Sequence, residues 1–206
     1  MTDELKVNSV LEGLMERRTV VLEGAINHSS ISEVSARLLE LQTQSDDEVT
    51  LMISSGGGEL YPALELCDLV KTLMSAPVRG IAIGECGSAA TLIMLHCKQR
   101  LGFPYSRYLI HSGNLGGIDL PIGRATSKVT SQLLAEVTKT EKLVTGIYTD
   151  MLTPKSRKKS ISEAHKKEYV QRLLDRGNQH HNEWMSVQEA LEIGLIEEVV
   201  TDPKIY

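Results

Sequence analysis

The sequence predicts an α/β protein in which strands and helices alternate and the strands form a mainly parallel sheet. Three runs rich in β-branched residues, at 19–22, 49–53 and 78–83, are each followed by a turn and a helical pattern. Helices that join successive strands in this way form right-handed crossovers between parallel strands. The 206 residues, 41% of them hydrophobic, suffice for a single domain with a substantial core.

The helices of the first half are predicted from capping signals and from apolar residues at three- and four-residue spacing. Ser29 and Ser30, followed by Glu33, resemble a capping box and predict the start of the first helix. The second helix follows a glycine-rich turn at residues 54–58 and ends before Pro77, which cannot continue a helix. The third helix follows the run at 78–83 after the turn that contains Ser88.

The second half predicts short strands, a long helix and a final helix–strand pair. Short strands are expected at 100–103 and 107–110. A helical pattern from about 124 to 152 would be roughly 40 Å long, more than a domain of this size needs internally. Its apolar stripe therefore indicates subunit contact, with internal packing as the alternative. An N-capped helix begins near 184–190, and 195–200 predicts the last strand.

Composition and charge exclude several classes of function. A net charge of −5 argues against nucleic-acid binding. No apolar run approaches the roughly 18–20 residues of a membrane span, and the acidic N-terminus is unlike a secretory signal. Three cysteines at no metal-like spacing predict reduced thiols in a cytoplasmic protein. His165, His180 and His181 lack the accompanying ligands of a metal site, so neither a metal nor a cofactor is expected.

Candidate catalytic residues follow three of the predicted strands. Ser88 lies between a strand and a helix with small neighbours, which indicates either a nucleophile or a tight packing turn. The glycines at 56–58 and His111 also end strands, and ligands bind at that edge of an open α/β sheet. His111 is the candidate base, with a structural histidine as the alternative. Cys86 is a rival nucleophile, but we interpret it as a buried thiol. His96 is expected to have a packing role.

Four motifs, in order along the chain, resemble those of one peptidase family. Residues 52–58, Met-Ile-Ser-Ser-Gly-Gly-Gly, resemble its Ile-Asn-Ser-Pro-Gly-Gly, and residues 87–90 resemble its nucleophile turn Ala-Ser-Met-Gly/Ala. Residues 104–111, Pro-Tyr-Ser-Arg-Tyr-Leu-Ile-His, resemble Pro-Asn-Ser-Arg-Val-Met-Ile-His, and residues 184–196 resemble Phe-Met-Ser-Ala-Glu-Glu-Ala-x-Glu-Tyr-Gly-Leu-Ile. The family is ClpP, the proteolytic subunit of the Clp protease, and the resemblance spans about 11–201.

This resemblance implies a crotonase-like ClpP fold and a serine endopeptidase that acts without a cofactor. Ser88 would be the nucleophile and His111 the general base. The backbone N–H groups of Gly58 and Ala89 would form the oxyanion hole.

The resemblance also implies a barrel-shaped oligomer. Residues 1–206 would form one peptidase domain, with a head at about 11–122 and 182–201 and a protruding handle at about 123–181. The handle would interleave two stacked heptameric rings in a tetradecamer of identical subunits. Unfolded polypeptides, fed in by a Clp-type AAA+ ATPase, would be cut to short peptides inside the barrel. Neither nucleic acid nor a membrane is an expected partner.

One departure from the family concerns the third member of the triad. Asn182 stands where the family has an aspartate. Its amide oxygen can accept a hydrogen bond from the His111 ring but carries no full charge. In a serine protease, replacing this aspartate with asparagine can lower kcat on the order of 10⁴-fold. A slow or conditionally assembled triad is therefore expected, unless Asp119 or Asp175 substitutes.

Two further departures concern partners. The segment of about 155–178 is longer than the family's and is expected to shape the equatorial pores or the approach to the active site. Thr50, Met52 and Leu101 stand where the family has groove aromatics that receive ATPase loops, which weakens the expectation of an ATPase partner.

Two other functions are weighed against an active peptidase. One is a catalytically weak or inactive ClpP-like subunit that regulates an active partner, which Asn182 motivates. The other is a crotonase-type acyl-CoA hydratase or isomerase, which shares the oxyanion-hole architecture. The presence of both Ser88 and His111 favours proteolysis over the second.

Overall fold

The computed structural model describes residues 13–112, 127–154, 163–179 and 183–201. The elements follow in the order β1 (Thr19–Ile26), α1 (His28–Gln44), β2 (Val49–Gly58), α2 (Leu60–Asp68), a π-helical turn (Leu69–Leu73), β3 (Val78–Gly87), α3 (Ala89–His96), β4 (Gln99–Gly102), β5 (Arg107–Leu109), α4 (Ser127–Met151), α5 (Glu163–Gln179), β6 (Met185–Ser186), α6 (Val187–Ile193) and β7 (Glu198–Val199).

These residues fall into two compact units. The first holds the sheet and its helices, at residues 13–109, 153–154 and 184–201. The second holds α4 and α5, at residues 110–112, 127–152, 163–179 and 183.

The first unit is organised around a parallel sheet, which confirms the predicted α/β class. The strand order is β1-β2-β3-β4-β7, and every neighbouring pair on this path is parallel. β5 continues alongside the end of β3, also in parallel. β6 pairs with β5 in the antiparallel sense, a pairing that the sequence did not indicate.

The helices of the first unit bury apolar faces. α1 buries Ile31, Val34, Leu38 and Leu41, the four residues whose spacing predicts the helix. Its capping box lies earlier than predicted. Asn27 is the N-cap: its side chain accepts from the Ser30 N–H (3.0 Å), and Ser30 Oγ accepts from the Asn27 N–H (3.1 Å). α3 buries every residue from Ala89 to Leu95.

β2 and β3 extend further than the sequence predicts. The glycine-rich stretch expected to be a turn is the end of β2, where Gly57 and Gly58 have positive φ values of 107° and 155°. Residues that carry a side chain rarely adopt such φ values, so these glycines allow β2 to continue to the edge of the sheet. β3 likewise continues to Gly87, with a register shift opposite Ile53 to Ser55.

The second unit is helical. α4 has 25 residues, about 38 Å at 1.5 Å per residue, in agreement with the long helix predicted. Its C-terminal half contacts α5 and buries Val144 and Tyr148, while Leu134 remains 64% exposed. α5 occupies residues 163–178 of the segment predicted to exceed the family's length. The expected start of α4 near 124 lies outside the described residues, and the head-and-handle division stays a prediction.

Candidate active site

Ser88 occupies a strained turn between a strand and a helix. β3 ends at Gly87 and α3 begins at Ala89, and Ser88 between them has φ 51° and ψ −125°. Positive φ is unfavourable for a residue with a side chain and concentrates at functional sites. The Ser88 N–H donates to the Leu109 carbonyl (2.7 Å), which ties the turn to β5. Ser88 itself is half-buried and lies between buried neighbours.

The end of β2 packs directly against this turn. A Cβ atom at Gly57 would lie 2.6 Å from Ser88 Cβ, 2.7 Å from the Gly87 oxygen and 3.1 Å from the Ala89 nitrogen. Ser55 stabilises the approach, because its Oγ donates to the Gly24 carbonyl (2.6 Å) and accepts from the Gly57 N–H (3.1 Å). Only a glycine at position 57 therefore allows the two strand ends to meet.

The backbone N–H group of Ala89, which adjoins Ser88, is suited to bind an anion. Ala89 is the first residue of α3, and N–H groups in the first turn of a helix have no acceptor within that helix. Gly58 is the last residue of β2, and its neighbour Glu59 donates its N–H to Ile26 of β1 (2.9 Å).

His111 follows β5 and belongs to the second unit. It is half-buried, and this burial lowers its pKa from the ordinary value, because a buried imidazolium loses hydration. Within the same unit, α5 lies close behind it. A Cβ at Gly177 would overlap the Ile110 carbonyl oxygen and would lie 3.2 Å from His111 Cβ. The neutral form of His111, which can accept a proton, is thus favoured.

The candidates for the third triad member are less defined. Asn182 and Asp119 lie outside the described residues. Asp175 lies on α5, where its Oδ1 accepts from Gln171 Nε2 (2.9 Å). It lines a polar groove of about 530 Å³ in the second unit, together with the buried Ser112. In the first unit, Gly57 packs against Ser88 and Ala89, whereas His111 and Asp175 lie in the second unit.

Three side chains near the Ser88 turn were not singled out from the sequence as site residues. Arg107 on β5 forms an ion pair with Glu85 on β3, the residue directly opposite it in the ladder. The Arg107 guanidinium also lies 4.8 Å from the centre of the Trp184 ring. A Cβ at Gly87 would lie 2.7 Å from the edge of that ring. The available signal was that Trp184 is the only tryptophan of the chain.

The predictions for Cys86 and His96 are confirmed. Cys86 is fully buried, and its burial raises the pKa of the thiol, which makes the reactive thiolate scarce. The half-buried His96 places Nδ1 2.8 Å from the Leu92 carbonyl oxygen. Among the described residues, no group of three or more His, Cys, Asp or Glu side chains could hold a metal ion.

The three positions compared with the family's groove aromatics lie on the sheet. Thr50 and Leu101 are buried and Met52 is half-buried. The register pairs Met52 with Ile81 and Ile81 with Leu101, so the side chains of Met52, Ile81 and Leu101 form one row on one face of the sheet.

In the part of the chain that the structure describes, no helix is long and apolar enough to cross a membrane.

Comparisons with known proteins converge on one family. A family model described as Clp protease matches residues 2–203. The ATP-dependent Clp protease proteolytic subunit 2 of Gluconobacter oxydans is 28% identical over 93% of this chain and 78% of its own length. Proteolytic subunit 1 of Chlamydia abortus is 26% identical over 96% of this chain and 94% of its own.

A solved structure of the same kind resembles the whole fold. It is an asparagine-to-aspartate variant of ClpP1 from Listeria monocytogenes, with a TM-score of 0.71 over 95% of this chain and 98% of its own. At 22% sequence identity, this likeness shows the fold alone. The predicted ClpP fold is confirmed.

Proposed function

The chain belongs to the Clp protease family, and we propose that it acts as a serine endopeptidase subunit that cuts unfolded polypeptides to short peptides. The observation that carries the proposal is the strained Ser88 turn with Gly57 packed against it. Positive φ at a serine is unfavourable, and residues with such strained backbone cluster at functional sites. A turn with a purely structural role does not need this arrangement. Family membership supports a peptidase, and the serine type rests on this turn.

The proposed reaction begins with attack by Ser88 Oγ on the carbonyl carbon of a peptide bond. His111 accepts the hydroxyl proton and later donates it to the leaving amine, which leaves an acyl-enzyme that water hydrolyses. The N–H groups of Gly58 and Ala89 stabilise the negative charge that develops on the carbonyl oxygen.

Chain connectivity supports the pairing of Ser88 with His111. The Leu109 carbonyl accepts from the Ser88 N–H, and His111 follows Leu109 by two residues. Because consecutive Cα atoms are 3.8 Å apart, those of Leu109 and His111 are within about 7–8 Å of each other. The lowered pKa of His111 suits a base that must be neutral at neutral pH.

We assign Asn182 to the third position of the triad. Its amide oxygen would accept from the His111 ring and hold one tautomer, without the charge that stabilises an imidazolium. The resulting peptidase would be slow, or would depend on assembly. The relative from Listeria monocytogenes was solved as an asparagine-to-aspartate variant, and the same exchange can be tested here.

We further propose a tetradecamer of two stacked heptameric rings in the cytoplasm. The exposed Leu134 on α4 supports subunit contact through the long helix. Relatives are named as subunits of an ATP-dependent protease, so an AAA+ ATPase is the proposed partner. It would dock without aromatic anchors, because Thr50, Met52 and Leu101 take their place.

The second candidate function is a subunit that regulates an active ClpP partner. The residue that favours it is Asn182, which stands at the position of a catalytic aspartate. In this case Ser88 would react measurably only when the partner subunit completes the assembly.

Labelling with a fluorophosphonate probe tests the main proposal. We expect the wild-type oligomer to be labelled and Ser88→Ala to lose labelling completely. The matched control is Ser35→Ala on α1, since Ser35 Oγ is buried without a hydrogen-bond partner among the described residues and its loss should leave labelling unchanged. Labelling that persists in Ser88→Ala contradicts the proposal. Labelling that appears only with a co-assembled active subunit selects the second candidate.

A further inference from the structure

The cluster of Glu85, Arg107 and Trp184 connects three backbone segments around the Ser88 turn. Glu85 lies beside β2, because a Cβ at Gly56 would lie 3.4 Å from Glu85 Oε2. Trp184 lies against Gly87, the residue before Ser88. Arg107 joins the two, since it pairs with Glu85 and stacks on Trp184. All of these residues belong to the first unit.

The stability of the fold does not account for this cluster. The Glu85 and Arg107 side chains are 41% and 54% exposed, and ion pairs this exposed contribute little to stability. Their position is what distinguishes them. The negative charge of Glu85 lies next to Gly56, in the end of β2 that contributes Gly58 to the proposed oxyanion hole. An unpaired carboxylate there would oppose the negative charge that forms in the transition state.

We propose that Arg107 is a positioning residue for the Ser88 turn: it holds Trp184 against Gly87 and neutralises the Glu85 carboxylate beside the glycine-rich end of β2. The inference rests on the proposed serine peptidase function. The Arg107 side chain contacts Glu85 and Trp184, and these two partners hold its charge beside the end of β2.

Removing the charge of Arg107 and removing the charge of Glu85 should have opposite effects on the rate at which Ser88 is acylated. Arg107→Gln leaves Glu85 unpaired, and we expect the rate of Ser88 acylation by a fluorophosphonate to fall about tenfold, which corresponds to about 1.4 kcal/mol. Glu85→Gln removes the carboxylate and should leave the rate unchanged or raise it. The double variant should recover most of the loss. A purely structural pair would instead make both single variants equally slow, without recovery, and this result would overturn the proposal.

Conservative variants separate the charge from the stacking. Arg107→Lys keeps the charge but loses the planar contact with the indole, so we expect an intermediate loss of about threefold. Trp184→Phe should retain most of the rate, and Trp184→Ala should lower kcat on a peptide substrate more than it changes KM. A loss confined to KM in Trp184→Ala would contradict a role in positioning.

The fluorescence of Trp184 tests the geometry without reference to activity. As the only tryptophan, it reports alone, and acrylamide should quench it more strongly in Arg107→Gln because one face of the ring is uncovered. If the wild-type protein is labelled and the variants at Glu85, Arg107 and Trp184 are labelled at the same rate, the inference fails and the peptidase function stands. If wild type is not labelled, the peptidase function fails. Unchanged quenching then overturns the inference too, whereas stronger quenching upholds the contact between Arg107 and Trp184.

Discussion

The two units of the chain hold their candidate site residues by different means. In the first, strand register and a glycine set the distances, so that Gly57 packs directly against Ser88 and Ala89. In the second, His111 is backed by a helix whose contact depends on one small residue, Gly177. A site built from backbone is precise but tolerates no added atom, whereas a site backed by a helix can adjust by a shift of that helix. Four substitutions or conditions test this difference.

The largest effect is expected for Gly57→Ala in the first unit. The new Cβ would lie 2.6 Å from Ser88 Cβ, so the two strand ends must separate. A displacement of about 1 Å at a catalytic group can lower the rate about 10²-fold, and we expect Ser88 labelling to slow by at least that factor. The control is Gly24→Ala, which also has positive φ but meets no atom within 4 Å. Equal losses in the two variants would show that backbone strain, not crowding, is responsible.

Asn182→Asp is expected to have the next largest effect, and in the opposite direction. A carboxylate would stabilise the His111 imidazolium that forms during the reaction, so peptidase activity should rise at least about tenfold. Asp175→Asn serves as the companion variant, because Asp175 is engaged with Gln171 on α5 and should be dispensable. Activity lost in Asp175→Asn would make that carboxylate the orienting residue instead.

Gly177→Ala tests the support of the base in the second unit. The added Cβ would overlap the Ile110 carbonyl, and we expect α5 to shift and kcat to fall by a few-fold to about tenfold. Gly146→Ala on α4 is the matched control, since nothing lies within 4 Å of its Cβ. It should keep full activity and gain about 0.5–1 kcal/mol in free energy of unfolding. A drop in kcat as large as that of Gly57→Ala would remove the distinction between the two units.

The smallest effect concerns pH. Burial lowers the pKa of His111, so the neutral, proton-accepting form persists to lower pH than for an exposed histidine. The acylation rate should therefore rise with pH along a limb whose midpoint lies below about 6.5. His96→Gln, which changes the other histidine with a lowered pKa, should leave this midpoint in place. A midpoint above 6.5 would show that His111 is stabilised in its charged form.

Local patterns predicted the elements well where one period dominates. The β-branched runs and the stripe of Ile31, Val34, Leu38 and Leu41 specify the alternating fold, because burial on one face requires that spacing. The sequence predicts shorter strands β2 and β3 than the structure has, because glycines usually mark turns. Here the glycines lie within the last residues of both strands. The two-residue β6 carries too few residues to show any period.

The site was only partly predictable from the sequence. Ser88, His111 and the glycines of β2 stand at strand ends, and a parallel sheet aligns such ends at one edge. The contacts of Arg107 with Glu85 and Trp184, and of Gly177 with Ile110, join residues far apart in the chain. Nothing in the local sequence encodes such contacts. The catalytic roles of Ser88, His111, Gly58, Ala89 and Asn182 remain predictions, as do the rings and the ATPase partner.

The lengths of the strand ladders have a consequence for local unfolding. β1, β2 and β3 pair over most of their 8 to 10 residues, whereas β5 has three residues and β6 has two. Amide hydrogens in short ladders exchange through local opening, at a lower free energy than those of a central sheet. The edge around Ser88 should therefore exchange with deuterium well before β2 does. An inhibitor that acylates Ser88 should slow exchange at Arg107 to Leu109 and leave the centre of the sheet unchanged.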